Sequence, residues 1–131
     1  MKAISYQLLI HLPRPLRVEI GALGPVRFPA GRWVYTGSAR RGIDARLARH
    51  LAESGSKRLH WHIDYLLAHP AARIVAWRRS TIAECRLQAA TPGSTPVPGF
   101  GASDCRAGCG AHLRLLPPEM RQPPGAGWNP T

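Results

Sequence analysis

The run Tyr35-Thr36-Gly37-Ser38-Ala39, followed by Arg46-x-x-x-His50, holds side chains that can act together on a phosphodiester. An aromatic strand breaks at a glycine there and gives way to a helix carrying arginine and histidine. Phosphodiester hydrolysis requires an activated water, neutralisation of the charge that builds on the phosphorus oxygens, and help for the leaving alkoxide. Gly37 at a strand exit would permit a tight turn or a close approach of backbone to phosphate, which a β-branched residue would block.

The elements that must position these groups follow from pattern and punctuation. Ile4 to Leu12 is apolar enough for a central strand and ends at Pro13-Arg14-Pro15. Leu16 to Ile20 and Val26 to Phe28 read as short extended pieces, and Arg32 to Thr36 as a second main strand. Tyr6 and Tyr35 therefore sit on strands that become neighbours if the chain forms a meander. Ile43, Leu47 and Leu51 recur every fourth residue, the stripe of a helix, with Arg46 and His50 on its border one above the other. Further helices are expected over His60 to Leu67 and Thr81 to Ala90, with strands at Arg73 to Trp77 and His112 to Leu116. The implied class is α/β (α+β) with mainly antiparallel pairing at its start. Residues 1–116 read as one domain, and 117–131, dense in Pro and Gly, as a disordered or loosely docked tail.

Composition narrows the partners. The chain has 18 Lys plus Arg against 7 Asp plus Glu, a formal charge of +11, and its only lysines are Lys2 and Lys57. That balance points to a polyanion, DNA first with RNA open, although an arginine-heavy chain also arises from genomic composition bias. No basic amphipathic helix or long apolar run favours a membrane. Seven carboxylates argue against nuclease designs that gather several acids around two metals, leaving a site with one carboxylate and one metal. The N-terminus has no signal-peptide pattern, so the cytoplasm is expected. Three cysteines disfavour a disulfide scaffold and leave reduced thiols or metal binding.

Ile4-Ser5-Tyr6, Tyr35-Thr36-Gly37-Ser38-Ala39, Arg46-x-x-x-His50 and the downstream Glu84 together resemble the GIY-YIG nuclease superfamily. The Arg58-to-Tyr65 run, Glu84-Cys85 and Gly99-Phe100-Gly101-Ala102-Ser103-Asp104-Cys105 leading to His112-Leu113 are similar to its small Uri-type branch. The resemblance spans residues 3–116. It implies a central three-stranded antiparallel sheet flanked by helices, and metal-dependent cleavage of DNA by an endonuclease. It also implies catalytic roles for Tyr6, Tyr35, Arg46, His50 and Glu84. Tyr6 would act as base on water with help from His50, since a phenol of ordinary pKa about 10 needs cationic neighbours to serve near neutrality. Tyr35 would position, Arg46 would stabilise the transition state, and Glu84 would hold one Mg²⁺ or Mn²⁺. Gly37, Ser38, Arg40, Arg41, Arg49, Lys57 and Arg58 would meet the nucleic acid.

The chain departs from this pattern in three places. Its first motif keeps only the tyrosine, Thr36 replaces an isoleucine in the second, and the only asparagine is Asn129 in the tail. These departures keep open a binding module of the same fold that has lost efficient chemistry. Several residues also have structural readings. Glu84 fits a capping box with Thr81, Arg49 reads as a solvated charge, and His60 to Tyr65 reads as a helix start packing Trp61, Ile63 and Tyr65 inward. Cys85 lies on an apolar stripe as a buried thiol, yet Cys85, Cys105, Cys109 and His112 have spacings usable by a structural Zn²⁺, which admits a zinc-dependent interaction protein as a third reading.

Overall fold

A computed structural model describes residues 2–39, 41–52, 59–102, 105 and 108–131. Its order is β1 (Ser5–Leu12), β2 (Leu16–Glu19), a 3-10 turn (Gly21–Leu23), β3 (Pro25–Phe28), β4 (Gly31–Ser38), α1 (Ile43–Leu51), α2 (His62–Leu67), β5 (Arg73–Ser80), α3 (Glu84–Ala90), β6 (Leu113–Leu115) and β7 (Asn129–Pro130). β2 and β3 form a separate two-stranded ribbon. The main sheet runs β6-β4-β1-β5-β7 with every pairing antiparallel. The mixed α and β class expected from sequence is observed. The expected central trio is β4-β1-β5, and two short strands widen it to five.

β1 is nearly all buried because it occupies the centre of the sheet and is covered on both faces. A strand covered twice needs apolar residues at successive positions instead of alternating ones. Tyr6, Leu8, Ile10 and Leu12 face the larger core, with Trp33, Phe28, Ile63, Leu66 and Phe100. Leu9 joins Val34, Ala76 and Leu116 on the other side. Gln7 shares that second face and is fully buried, so its amide needs partners. It donates to Thr36 Oγ1 at 3.0 Å and Thr91 Oγ1 at 2.8 Å, and accepts from Arg78 Nε at 2.9 Å.

Strand limits differ from expectation where hydrogen bonding overrides punctuation. β4 continues through Gly37 to Ser38, because Tyr6 pairs with Gly37 and Ser5 with Ser38. β5 likewise runs to Ser80 by pairing along β1. α3 begins at Glu84, not Thr81; Ala83 is its N-cap and makes no side-chain capping bond, so the Thr81–Glu84 capping box does not form. Residues 117–131 lie against the sheet. Asn129 donates to Trp77 O at 3.2 Å, and the Arg78 guanidinium stacks 4.5 Å from the Trp128 ring centre.

One ion pair joins the two helices that flank the cleft. Arg49 of α1 donates to both carboxylate oxygens of Asp64 on α2, at 2.7 and 2.9 Å. Asp64 Oδ2 also accepts the backbone amides of His60 and Trp61 at 2.9 and 2.8 Å, closing the start of α2. Burial alone would raise the Asp64 pKa; the Arg49 bonds and the two amides outweigh it and hold the carboxyl below its usual range. Arg49 is thus a tie between helices, a correction to its reading as a solvated charge.

Asp64→Ala removes a fully buried carboxylate that bonds Arg49 and two backbone amides, and is expected to cost about 3 kcal/mol in denaturant unfolding at neutral pH. A lowered folded-state pKa contributes stability above the unfolded value that is lost as pH falls through the folded one. The gap between wild type and variant should therefore begin to narrow as the pH drops below about 4 and go on narrowing until the folded-state carboxyl is protonated.

Candidate active site and metal-ligand cluster

The register of β1 against β4 builds the site. Tyr6 stands directly opposite Gly37, and Tyr35 opposite Leu8, so the two tyrosines are diagonal neighbours on one face with ring centres 6.3 Å apart. A Cβ placed on Gly37 would lie 2.5 Å from both Cζ and the hydroxyl oxygen of Tyr6. Glycine is required there so that the Tyr6 ring can cross its neighbour strand. This corrects the expectation of a turn or a phosphate contact, since Gly37 is buried within the strand and has no positive φ.

α1 brings cation and imidazole to that face. His50, 2% exposed, places Nε2 at 2.7 Å from the Tyr6 hydroxyl, and its tautomer sets which atom donates. Its ring also meets Tyr35 edge-on at 6.1 Å. Arg46 donates Nη1 to the Ser38 carbonyl at 2.8 Å and lays its guanidinium 4.5 Å from the Trp61 ring centre, a cation–π contact that holds the fork without neutralising it. Trp61 receives Arg49 at the same distance.

Glu84, the first residue of α3, completes the wall, with Oε2 3.3 Å from His112 Nδ1. Tyr6, Tyr35, Ser38, Arg46, His60, Trp61, His62, Glu84, Gly101, Cys105 and His112 together enclose a cleft of about 420 Å³. Tyr6, Tyr35, Arg46 and Glu84 thus line one cleft, and His50 reaches it through its contact with Tyr6. Among the expected nucleic-acid contacts, Ser38 lines the cleft and Arg41 is exposed, whereas Arg40, Lys57 and Arg58 lie outside the described residues.

The field in the cleft keeps its phenols protonated. Burial pushes the Tyr6 pKa up and the nearby Arg46 only partly offsets it. Burial and then the proximity of Tyr6 and Glu84 push Tyr35 well up. A free phenolate is therefore not the resting base, contrary to what cationic neighbours alone would suggest. His62, within the helix start read from sequence as packing Trp61, Ile63 and Tyr65 inward, lines the cleft. Its Nδ1 accepts the Gly101 amide at 2.9 Å and burial lowers its pKa, so the neutral ring carries its proton on Nε2. A Cβ on Gly101 would lie 3.0 Å from the Tyr35 ring and 3.4 Å from His112 Cβ, so glycine lets that backbone lie against the cleft.

Beside Glu84, the metal-ligand atoms of Cys85, Cys105, Cys109 and His112 all lie within 4.8 Å of one another. None of the three cysteines forms a disulfide. Hydrogen bonding to Cys109 is the largest cause raising the Cys85 pKa to about 12, and the Glu84 contact is the largest raising His112 to about 9. A hard divalent ion in the cleft would have Glu84 as its carboxylate, with remaining positions filled by water and phosphate oxygens.

Fold and cleft thus define a small antiparallel α+β protein in which two tyrosines, an arginine and a glutamate meet beside a Cys/His ligand group. Residues 5–123 match the model of the family described as domain of unknown function DUF123, and the chain belongs to that family. No curated protein and no solved structure matches it. Among the described residues no helix is long and apolar enough to cross a membrane.

Gly37→Ala should destabilise the fold by about 1 to 3 kcal/mol, the usual cost of forcing extra volume into a packed site. In a Tyr6→Ala background the same substitution should cost much less, because its collision partner is gone; a double-mutant unfolding cycle reads the difference.

Proposed function

We propose that the protein is a metal-dependent DNA endonuclease, on the observation that Tyr6, Tyr35, Arg46 and Glu84 converge on one cleft in a strongly basic chain. The resemblance of these residues to the GIY-YIG superfamily supports the reading. Mg²⁺ or Mn²⁺ held by Glu84 would polarise the scissile phosphate and stabilise the leaving oxygen.

The protein's own residues account for the proton transfer. Water gives a proton to the Tyr6 oxygen while the phenol passes its own to His50 Nε2, so no free phenolate has to form. The hydroxide oxygen bonds to phosphorus, the bond to the leaving alkoxide breaks, and that alkoxide takes a proton from solvent. Arg46 stays charged against Trp61 and meets the equatorial oxygens, where charge develops. His62 Nε2–H is a second donor into the same space, and Tyr35 holds Tyr6 in line by packing and by its hydroxyl. Arg41 and the basic residues beyond the cleft would track the backbone.

Cleavage of supercoiled, linear, branched and single-stranded DNA with Mg²⁺ or Mn²⁺ tests this. Arg46→Ala and Glu84→Ala should each lower kcat about 100- to 1,000-fold, the usual loss for one charge-stabilising contact, with folding retained. Tyr6→Phe, which keeps the ring and removes only the relay oxygen, should be at least as severe. Metal-independent cleavage, or full activity in both the Arg46 and Glu84 variants, would overturn the mechanism. Tight DNA binding with no cleavage on any substrate would instead select a binding module of the same fold; five phosphate contacts would then give a log–log salt slope of about −4.5.

A further inference from the structure

The thiol and imidazole group next to Glu84 is not used by the chemistry above, and its geometry fits a tetrahedral ion. Cys85 Sγ lies 3.6 Å from Cys105 Sγ and 3.9 Å from His112 Nε2. Zinc–sulfur bonds of about 2.3 Å directed to the corners of a tetrahedron put sulfurs about 3.8 Å apart, and a nitrogen corner slightly closer. A disulfide would need sulfurs at about 2.05 Å, far shorter than the separation here.

The backbone explains why four ligands from distant parts of the chain meet. Cys85 is the second residue of α3, and His112 directly precedes β6. Cys109 sits between Gly108 and Gly110, at φ 76° and 80°, left-handed conformations that turn a short loop back on itself without a Cβ penalty. The loop is closed by Gly99 N–H donating to Gly110 O at 2.6 Å and His112 N–H donating to Phe100 O at 2.8 Å, around the fully buried Phe100 ring. These bonds place Cys109 and His112 within reach of Cys85 and Cys105.

His112 is 1% exposed and faces Glu84 with Nδ1, which leaves Nε2 toward the sulfurs. A carboxylate on the far nitrogen of a ligating imidazole fixes its tautomer and orientation and strengthens it as a ligand. We propose that Cys85, Cys105, Cys109 and His112 Nε2 bind one Zn²⁺ in a closed structural site, with Glu84 as the carboxylate partner of His112. Three sulfurs and a nitrogen select zinc over the hard ions that oxygen ligands prefer. The ion joins the start of α3 to the loop walling the cleft, so it also sets where Glu84 points. The zinc site stands whether or not the cleft cuts DNA.

Elemental analysis of the full chain purified under reducing conditions should find one zinc per chain. After chelation and refilling with Co²⁺, the spectrum should show tetrahedral d–d bands and sulfur-to-cobalt charge transfer, the latter falling by about a third in Cys109→Ser as one of three thiolates is lost. Glu84→Gln should retain the bands but weaken zinc about 10- to 100-fold in a competition titration with a chromophoric chelator. A folded, reduced wild-type chain that holds no zinc and gives octahedral cobalt or none overturns the site. Unchanged zinc affinity in Glu84→Gln overturns the role of Glu84.

Discussion

β1 lies between β4 and β5, and the antiparallel register of its pair with β4 controls everything around the cleft. With Tyr6 opposite Gly37, the Tyr6 ring has the one neighbour that leaves it room, and Tyr35 falls on the same face one pair along. A slip of one residue would send Tyr6 to the Gln7 side and set a Cβ-bearing residue across from it. The register is held by apolar burial on both faces, with Leu8, Ile10 and Leu12 on one side and Leu9 on the other. Gln7 adds specificity. Its amide is satisfied only when Thr36, Thr91 and Arg78 converge on it, and a buried amide without partners costs several kcal/mol.

Around that strand the protein separates two kinds of arginine. Arg49 is committed to a buried carboxylate and ties α1 to α2, while Arg46, three residues earlier, bonds the Ser38 carbonyl, rests on an aromatic face and faces the Tyr6 hydroxyl. A carboxylate cancels the field of a guanidinium, whereas a tryptophan face orients it and leaves the charge available. The difference lies in which neighbour the fold supplies, since both belong to the same nine-residue helix.

Glu84 occupies the junction between the cleft and the sulfur cluster. Its side chain is 25% exposed and directs one oxygen to His112, so it is held by a buried imidazole while still presented to the open space. The proposed hydrolysis and the proposed zinc site therefore share a wall. The Gly101 backbone also bears on the cleft, because its amide orients His62.

Much of this was legible in residue order. The apolar run of β1, the four-residue stripe of α1 and the Pro–Gly breaks between short strands determine an antiparallel α+β protein, since each reports a local period or a local steric limit. The candidates Tyr6, Tyr35, Arg46, His50 and Glu84 could also be named, because their types and order were informative. Sequence could not show that Gly37 serves Tyr6 and not a turn, that Glu84 faces His112 instead of capping its helix, or that Arg49 is spent on Asp64. Each depends on a partner between 15 and 31 residues away, brought near only when strands pair and helices dock. Local pattern carries the period of an element, whereas the partner of a buried charge or the space beside a ring is set by packing.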